Sequence, residues 1–212
     1  GQVGITVAGS HGKTTTTGMI IWAAQQLGIP MSHSIGTNLS FAPSGVFNEK
    51  SDFFVYEADE FDRNFLHFTP YISVITSVDY DHPDTYPTWH DYLQAFNDFI
   101  ENSQQTILWQ HDATELGAND SSLQVIADSV ALEHLDLSGT YLRKNAFLVE
   151  RALLTLFPEL HYHDVITALN SFPGTVRRFE KLSENIYSDY AHHPTEIAAT
   201  IQRADEMSDN VV

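Results

Sequence analysis

The stretch Gly9-Ser10-His11-Gly12-Lys13-Thr14-Thr15 lies between a short β-branched apolar run, residues 3–8, and a helical pattern over 13–27 that closes at Gly28 and Pro30. Strand, glycine loop and helix start in that order turn backbone amides and a helix N-terminus onto one point. That point suits an anion. Lys13 adds a full positive charge, and the Thr14 hydroxyl can hold Mg²⁺ beside a bound phosphate. The loop departs from the strict phosphate-loop pattern at one place, since the glycine required six positions before the lysine is Val7. Charge makes the lysine stand out further. The chain has 10 Lys and Arg against 28 Asp and Glu, a formal net charge of −18, and apart from Lys13 no Lys or Arg precedes Lys50. Such a balance repels nucleic acid and anionic membrane, so a phosphate site here has to be local.

The remainder of the chain supplies a frame for that loop. Buried strands are predicted over 52–57 and 72–78, a helix over 89–100, a strand over 106–109 and a short strand over 123–127 after a break at 117–122. Two helices are predicted over 145–157 and 164–172, with Pro158 between them and Pro173-Gly174 behind, and a strand over 186–190 precedes a helix over 194–207. Residues 31–50 read mostly as loop. Alternation of strand and helix over roughly the first 110 residues implies a doubly wound, mostly parallel α/β sheet. Residues 179–212 read as the first strand and helix of another domain. With 42% apolar residues the chain can bury a sizeable core, and with no cysteine it excludes disulfides, thiol catalysis and thiolate metal sites. The longest apolar run, Met19 to Ala24, is six residues, far below the roughly 20 that a membrane helix needs. The chain opens on Gly-Gln-Val with no leader, and is expected to be cytoplasmic and part of something longer.

Two acidic runs follow predicted strands: Glu57-Ala58-Asp59-Glu60-Phe61-Asp62 and Asp79-Tyr80-Asp81-His82-Pro83-Asp84. Taken singly, each is a solvated loop. In an open parallel sheet, however, ligands gather at the carboxyl ends of the strands, and Lys13-Thr14, Glu57 and His82 would meet there. Hard oxygens with one imidazole suit Mg²⁺ or Mn²⁺ beside a polyphosphate. Arg177-Arg178 and Asp189-Tyr190-Ala191-His192-His193-Pro194 are equally a ligand edge or a solvent-facing basic pair followed by a helix start. His161 and His163 are expected at the surface.

These residues resemble the Mur ligase family of ATP-dependent amide-bond-forming enzymes. The similarity is carried by Gly9-Ser10-His11-Gly12-Lys13-Thr14-Thr15-Thr16-Thr17, by Glu57-Ala58-Asp59-Glu60, by Phe65-Leu66-His67 through Asp81-His82-Pro83-Asp84-Thr85-Tyr86, and by Asp189-Tyr190-Ala191-His192-His193-Pro194-Thr195-Glu196. The resemblance implies a central ATP-binding domain, 1–178, and the start of a Rossmann-like C-terminal ligase domain, 179–212. It also implies that the family's UDP-binding N-terminal domain is absent from this segment, which alone would form no amide bond. The implied activity joins an amino acid, L-alanine first, to the small molecule UDP-N-acetylmuramate through an acyl phosphate in peptidoglycan synthesis. A murein tripeptide recycling ligase and a nucleotide-binding paralogue without ligase activity are the alternatives. By the same resemblance Gly9, Ser10, His11, Gly12, Lys13, Thr14, Thr15 and Asn145 would hold ATP, and Thr14, Glu57 and His82 would hold Mg²⁺ or Mn²⁺. Lys13, His82, Arg178 and His192 would serve catalysis, with Arg177 and Tyr190 facing the same cleft. One stretch departs from the family pattern. Where members carry Gly-x-His-Asn-x-x-Asn, this chain has Gly139-Thr140-Tyr141-Leu142-Arg143-Lys144-Asn145, so the His-Asn pair is replaced and Asn145 remains. No lysine lies between Ser51 and Arg143, so a carbamylated lysine is not expected at the second metal.

Overall fold

The computed structural model describes residues 1–208 and 211; the last residues of the 179–212 segment, 209, 210 and 212, lie outside the described set. Seven strands form one sheet in the order β3-β2-β4-β1-β5-β6-β7. They are β1 (Val3–Ala8), β2 (Ser32–Ser34), β3 (Gly45–Val46), β4 (Phe53–Glu57), β5 (Ile72–Ile75), β6 (Gln105–Trp109) and β7 (Leu123–Ile126). Every pairing is parallel except that of β2 with the short edge strand β3. The expected mostly parallel, doubly wound sheet is therefore present.

Both faces of the sheet are covered, and the strand sequences show why. Ile5, Val7, Val55, Ile72, Val74, Ile107 and Trp109 enter one core. Their alternates Ala8, Tyr56, Ile75 and Leu108 enter the other, as the two-residue period of a strand requires. The first core is closed by α1 (Lys13–Gln26), α4 (Thr140–Leu156) and α5 (Tyr162–Asn170), the second by α2 (Trp89–Glu101) and α3 (Gln110–Leu116). Helix α2 starts on a reciprocal cap in which the Asp91 amide donates to Thr88 Oγ1 and the Thr88 amide to Asp91 Oδ2, and it buries Tyr92, Phe96 and Phe99 completely.

Several elements differ from the sequence expectation. Strand β5 ends three residues early because the chain turns at Thr76 to wrap the phosphate loop: the Ser10 amide donates to Ser77 O at 3.0 Å and the His11 amide to Ser77 Oγ at 3.0 Å. Helix α4 begins five residues early, at Thr140. Residues 140–144 carry no apolar period, but Glu206 of α6 (Pro194–Met207) reaches back to cap them. The Gly139 amide donates to Glu206 Oε2 at 2.8 Å, and Arg143 Nη1 lies 3.2 Å from the same oxygen. Residues 180–188, expected to hold one strand, form a hairpin of β8 (Glu180–Ser183) and β9 (Ile186–Ser188).

The Glu206 clamp yields a pH prediction. Arg143 first, then the Gly139 amide, hold the Glu206 carboxyl below its ordinary value. Its contribution is present above the unfolded carboxyl value, about 4.5, and is lost as pH falls through the lower folded value. Amide-exchange protection of α6, corrected for intrinsic rates, is expected to fall on acidification and to fall at neutral pH in Glu206→Gln, by about 1 kcal/mol or less. Unchanged protection in Glu206→Gln would show that the clamp does not hold α6.

Candidate functional site

All parallel strands end at one edge, and β1 is the strand about which the chain order reverses, with β4 and β2 on one side and β5 to β7 on the other. Crevices open at such a place. The segments 9–12, 57–60, 76–82 and 109–112 all emerge there.

The loop is built tightly. Gly9 and Gly12 have φ of +132° and +84°, and a Cβ on Gly12 would come within 2.9 Å of the Asn145 amide nitrogen, so α4 leans on the loop at that point. Ser10 Oγ is 2.7 Å from Tyr92 OH and accepts from the Asp79 amide at 2.7 Å, tying the loop to α2 and to the segment after β5. Lys13 Nζ folds back over the loop and donates to Gly9 O at 2.7 Å and to Glu60 Oε2 at 2.7 Å. Thr14 Oγ1 donates to Glu57 Oε1 at 2.6 Å, while Glu57 Oε2 accepts from the Gly36 amide at 2.9 Å.

Glu60 is the buried centre of this group. Its side chain is fully covered, its backbone carbonyl accepts from Tyr86 OH, and His82 Nε2 lies 3.6 Å from its Oε1, which has no hydrogen-bond partner. Burial alone would push this carboxyl up; His82 and Lys13 override it and hold the group below its usual value. The same contact raises His82 above the ordinary imidazole value, against partial burial. His82 sits in a left-handed backbone conformation, φ +55°. Lys13, Thr14, Glu57 and His82 are thus brought together at one edge, with Asp59 and Glu60 between them.

A cavity of about 410 Å³ opens beside the loop, within the range of small-ligand pockets. Its walls include His11, Trp109, Leu142, Asn145, Arg178 and Arg203. Tyr141 and Leu142, which stand where the family pattern has His-Asn, both line it, and Lys144 Nζ lies 5.0 Å over the Trp109 ring. Asp112 lies deep in the wall, 1% exposed, where it accepts from the Val78 amide at 2.9 Å and burial pushes its carboxyl up.

The segment before and into α6 closes the cavity from the other side. Glu196 pairs with Arg178 at 3.2 Å and lies 3.5 Å from His11 Nδ1. Burial would raise the Glu196 carboxyl, but His11, the His192 amide and Arg178 hold it at about 2. Arg177 and Arg178 both stand over the Tyr190 ring, at 4.6 and 5.6 Å. His192 does not line the cavity: its side chain is 67% exposed and Nδ1 lies 3.2 Å from Tyr190 O. The neighbouring His193 is the one that reaches the loop, with its ring centroid 4.6 Å from that of His11. His161 and His163 are exposed, as expected. Sequence reasoning missed Glu60 as the partner of Lys13, and also Tyr92, Asp112 and His193. Only Glu60 and His193 lay in quoted motifs, and nothing local separates buried Glu60 from exposed Asp59.

Comparison with known proteins gives a consistent picture. Residues 7–149 match the Mur ligase middle domain. The UDP-N-acetylmuramate–L-alanine ligase of Desulfitobacterium hafniense (strain Y51) is 32% identical over 236 residues, covering 95% of this chain and 52% of that protein. The enzyme of the same name from Nocardioides sp. is 34% identical over 219 residues, covering 94% and 48%. The crystal structure of the UDP-N-acetylmuramate–alanine ligase of Thermotoga maritima superposes with a TM-score of 0.81 at 24% identity, covering 99% of this chain and 55% of that one; at that identity the likeness concerns the fold. The chain spans about half the length of the curated relatives it matches. No helix among the described residues is long and apolar enough to cross a membrane.

Proposed function

The chain belongs to the Mur ligase family, whose middle domain its residues 7–149 match, and from that premise we propose that it is the nucleotide-binding part of an ATP-dependent ligase that joins L-alanine to UDP-N-acetylmuramate in peptidoglycan synthesis. The observation that carries the reading is the Lys13, Thr14, Glu57, Glu60 and His82 cluster at the switch of the sheet, next to a cavity of about 410 Å³.

The residues fit Mg·ATP. Gly9 and Gly12 hold the loop at φ +132° and +84°, where side chains are strained, the Thr14 hydroxyl and Glu57 carboxylate present adjoining hard oxygens, and a buried oxygen of Glu60 stands without a hydrogen-bond partner. Bound Mg·ATP supplies the phosphoryl group that activates the muramyl carboxylate as an acyl phosphate for attack by the amine. The amides of residues 12–15 at the start of α1 and Lys13 Nζ would hold the phosphates and neutralise charge on the group being transferred, a role that preorganised donors fill without reorganisation, while the Ser10 and His11 amides are spent on Ser77 and keep the loop in shape. Thr14 and Glu57 would hold one Mg²⁺, and His82, at the same edge, would supply an imidazole to a second metal. Asn145 supports the loop from α4. Arg178, oriented by Glu196, presents its guanidinium from the opposite wall, and the 179–212 segment begins the C-terminal domain. No side-chain nucleophile takes part.

Titration calorimetry of the chain with Mg·ATP tests the reading. Binding is expected, with about a tenfold or greater loss in Glu57→Gln, since a charge-assisted contact contributes about 1.5–3 kcal/mol. Equal affinity of the two proteins, or no binding to either, would refute it. For the longer protein, release of ADP that depends on both UDP-N-acetylmuramate and L-alanine is the expected activity; release dependent on a murein tripeptide instead would assign the recycling reaction.

A further inference from the structure

His11, Asp79 and His193 come from three separate segments: the phosphate loop, the stretch after β5 and the residue ahead of α6. One ligating atom of each lies within 4.8 Å of the other two. His11 Nε2 is 3.2 Å and His193 Nδ1 3.6 Å from Asp79 Oδ2. Four ligands held tetrahedrally at about 2.0–2.1 Å from a zinc ion stand about 3.3 Å apart. Both observed separations are close to the edge of that tetrahedron before any side chain moves. A hydrogen bond does not account for the second, which is too long.

The surroundings of the three groups are those that metal ligands keep. The other ring nitrogen of His11, Nδ1, faces Glu196 Oε1 at 3.5 Å, so a carboxylate stands behind that imidazole. Thr195 Oγ1 donates to Asp79 Oδ2 at 2.6 Å and fixes the carboxylate. His193 Nδ1 accepts from the Thr195 amide at 3.4 Å, a long hydrogen bond that caps α6 and uses the lone pair an ion would take in its place. Carboxylate and hydroxyl supports of this kind orient ligands and set the tautomer. All three residues are half-buried, which leaves a route for an ion.

We propose that His11 Nε2, Asp79 Oδ2 and His193 Nδ1 form a site for a divalent transition metal of the zinc class, with the fourth position open. Two imidazoles and one carboxylate favour zinc over Mg²⁺, which takes oxygen ligands. The site is separate from Thr14 and Glu57 and from His82, and the ion ties the segment ahead of α6 to the phosphate loop.

Cobalt(II) is the probe, added to the 212-residue chain without nucleotide, so the result does not depend on ATP binding. The expected result is a visible band of four-coordinate cobalt that saturates at one equivalent and is displaced by Zn²⁺. His11→Gln and His193→Gln should each weaken binding about tenfold or more, while His82→Gln and the surface variant His163→Gln leave it unchanged, with thermal unfolding confirming that each protein is folded. A second measurement needs no variant: added Zn²⁺ should shift the ring-nitrogen resonances of His11 and His193. Absence of a four-coordinate band, a band that survives in His193→Gln, or Zn²⁺ shifts at His82 in place of His11 and His193 would each overturn the proposal.

Discussion

Lys13→Ala is expected to lower stability by about 3–5 kcal/mol, because it leaves the fully buried Glu60 carboxylate without the ammonium that lies 2.7 Å from it. His82 can supply part of the missing charge when protonated, so the loss should grow as pH rises through the imidazole range. On the proposed function the same variant also loses at least about tenfold in Mg·ATP affinity. The double variant Lys13→Ala with Glu60→Gln separates the two effects. Urea unfolding should show most of the stability returned, since no buried charge is left unpaired, while calorimetry should show the affinity still lost. If Lys13→Ala unfolds within about 1 kcal/mol of the parent protein, Glu60 does not depend on Lys13 for its charge compensation.

Gly9→Ala is expected to cost about 2–6 kcal/mol by urea unfolding. The residue stands at φ +132°, where an L side chain is strained by about 1–3 kcal/mol. A Cβ there would also lie 2.3 Å from Thr76 Oγ1 and 2.9 Å from the backbone N and O of Ser77, and forcing such contacts apart typically adds about 1–3 kcal/mol. The Thr76 hydroxyl can turn away; the Ser77 backbone cannot, because its carbonyl and hydroxyl hold the amides of Ser10 and His11. Gly28→Ala is the control. It stands at φ +68° with nothing within 4 Å of its Cβ, so only the left-handed conformation, about 1–2 kcal/mol, is at stake. Equal losses in the two variants would show that the close approach of β1 and the segment after β5 does not govern the loop.

The elements that sequence located well are those whose signal is local and dense. The loop from Gly9 to Thr14 sits where strand and helix patterns place it, α2 follows its apolar stripe, and α6 runs from Pro194 to Met207 as its proline start predicts. The elements that escaped are short or held from afar. Helix α3 has seven residues and ends at Gly117, φ +62°, too short for a period to show. The early start of α4 depends on Glu206, more than sixty residues away in sequence, and the hairpin of β8 and β9 is mostly exposed, so no alternating burial pattern marks it.

By itself the sequence determined a parallel α/β sheet, a glycine loop at the end of its first strand and two acidic runs at further strand ends, because periodicity, glycine placement and helix caps are properties of neighbouring residues. Only the tertiary structure decided which carboxylate takes the lysine and which histidine meets the loop. Lys13 and Glu60 are 47 positions apart, and Thr195 and Asp79 are 116 apart. Glu60 and Asp59 are chemically alike and adjacent, as are His192 and His193; which member of each pair turns inward is set by the path of the backbone around β4 and into α6, a consequence of packing the sheet against its helices that no window of neighbouring residues contains.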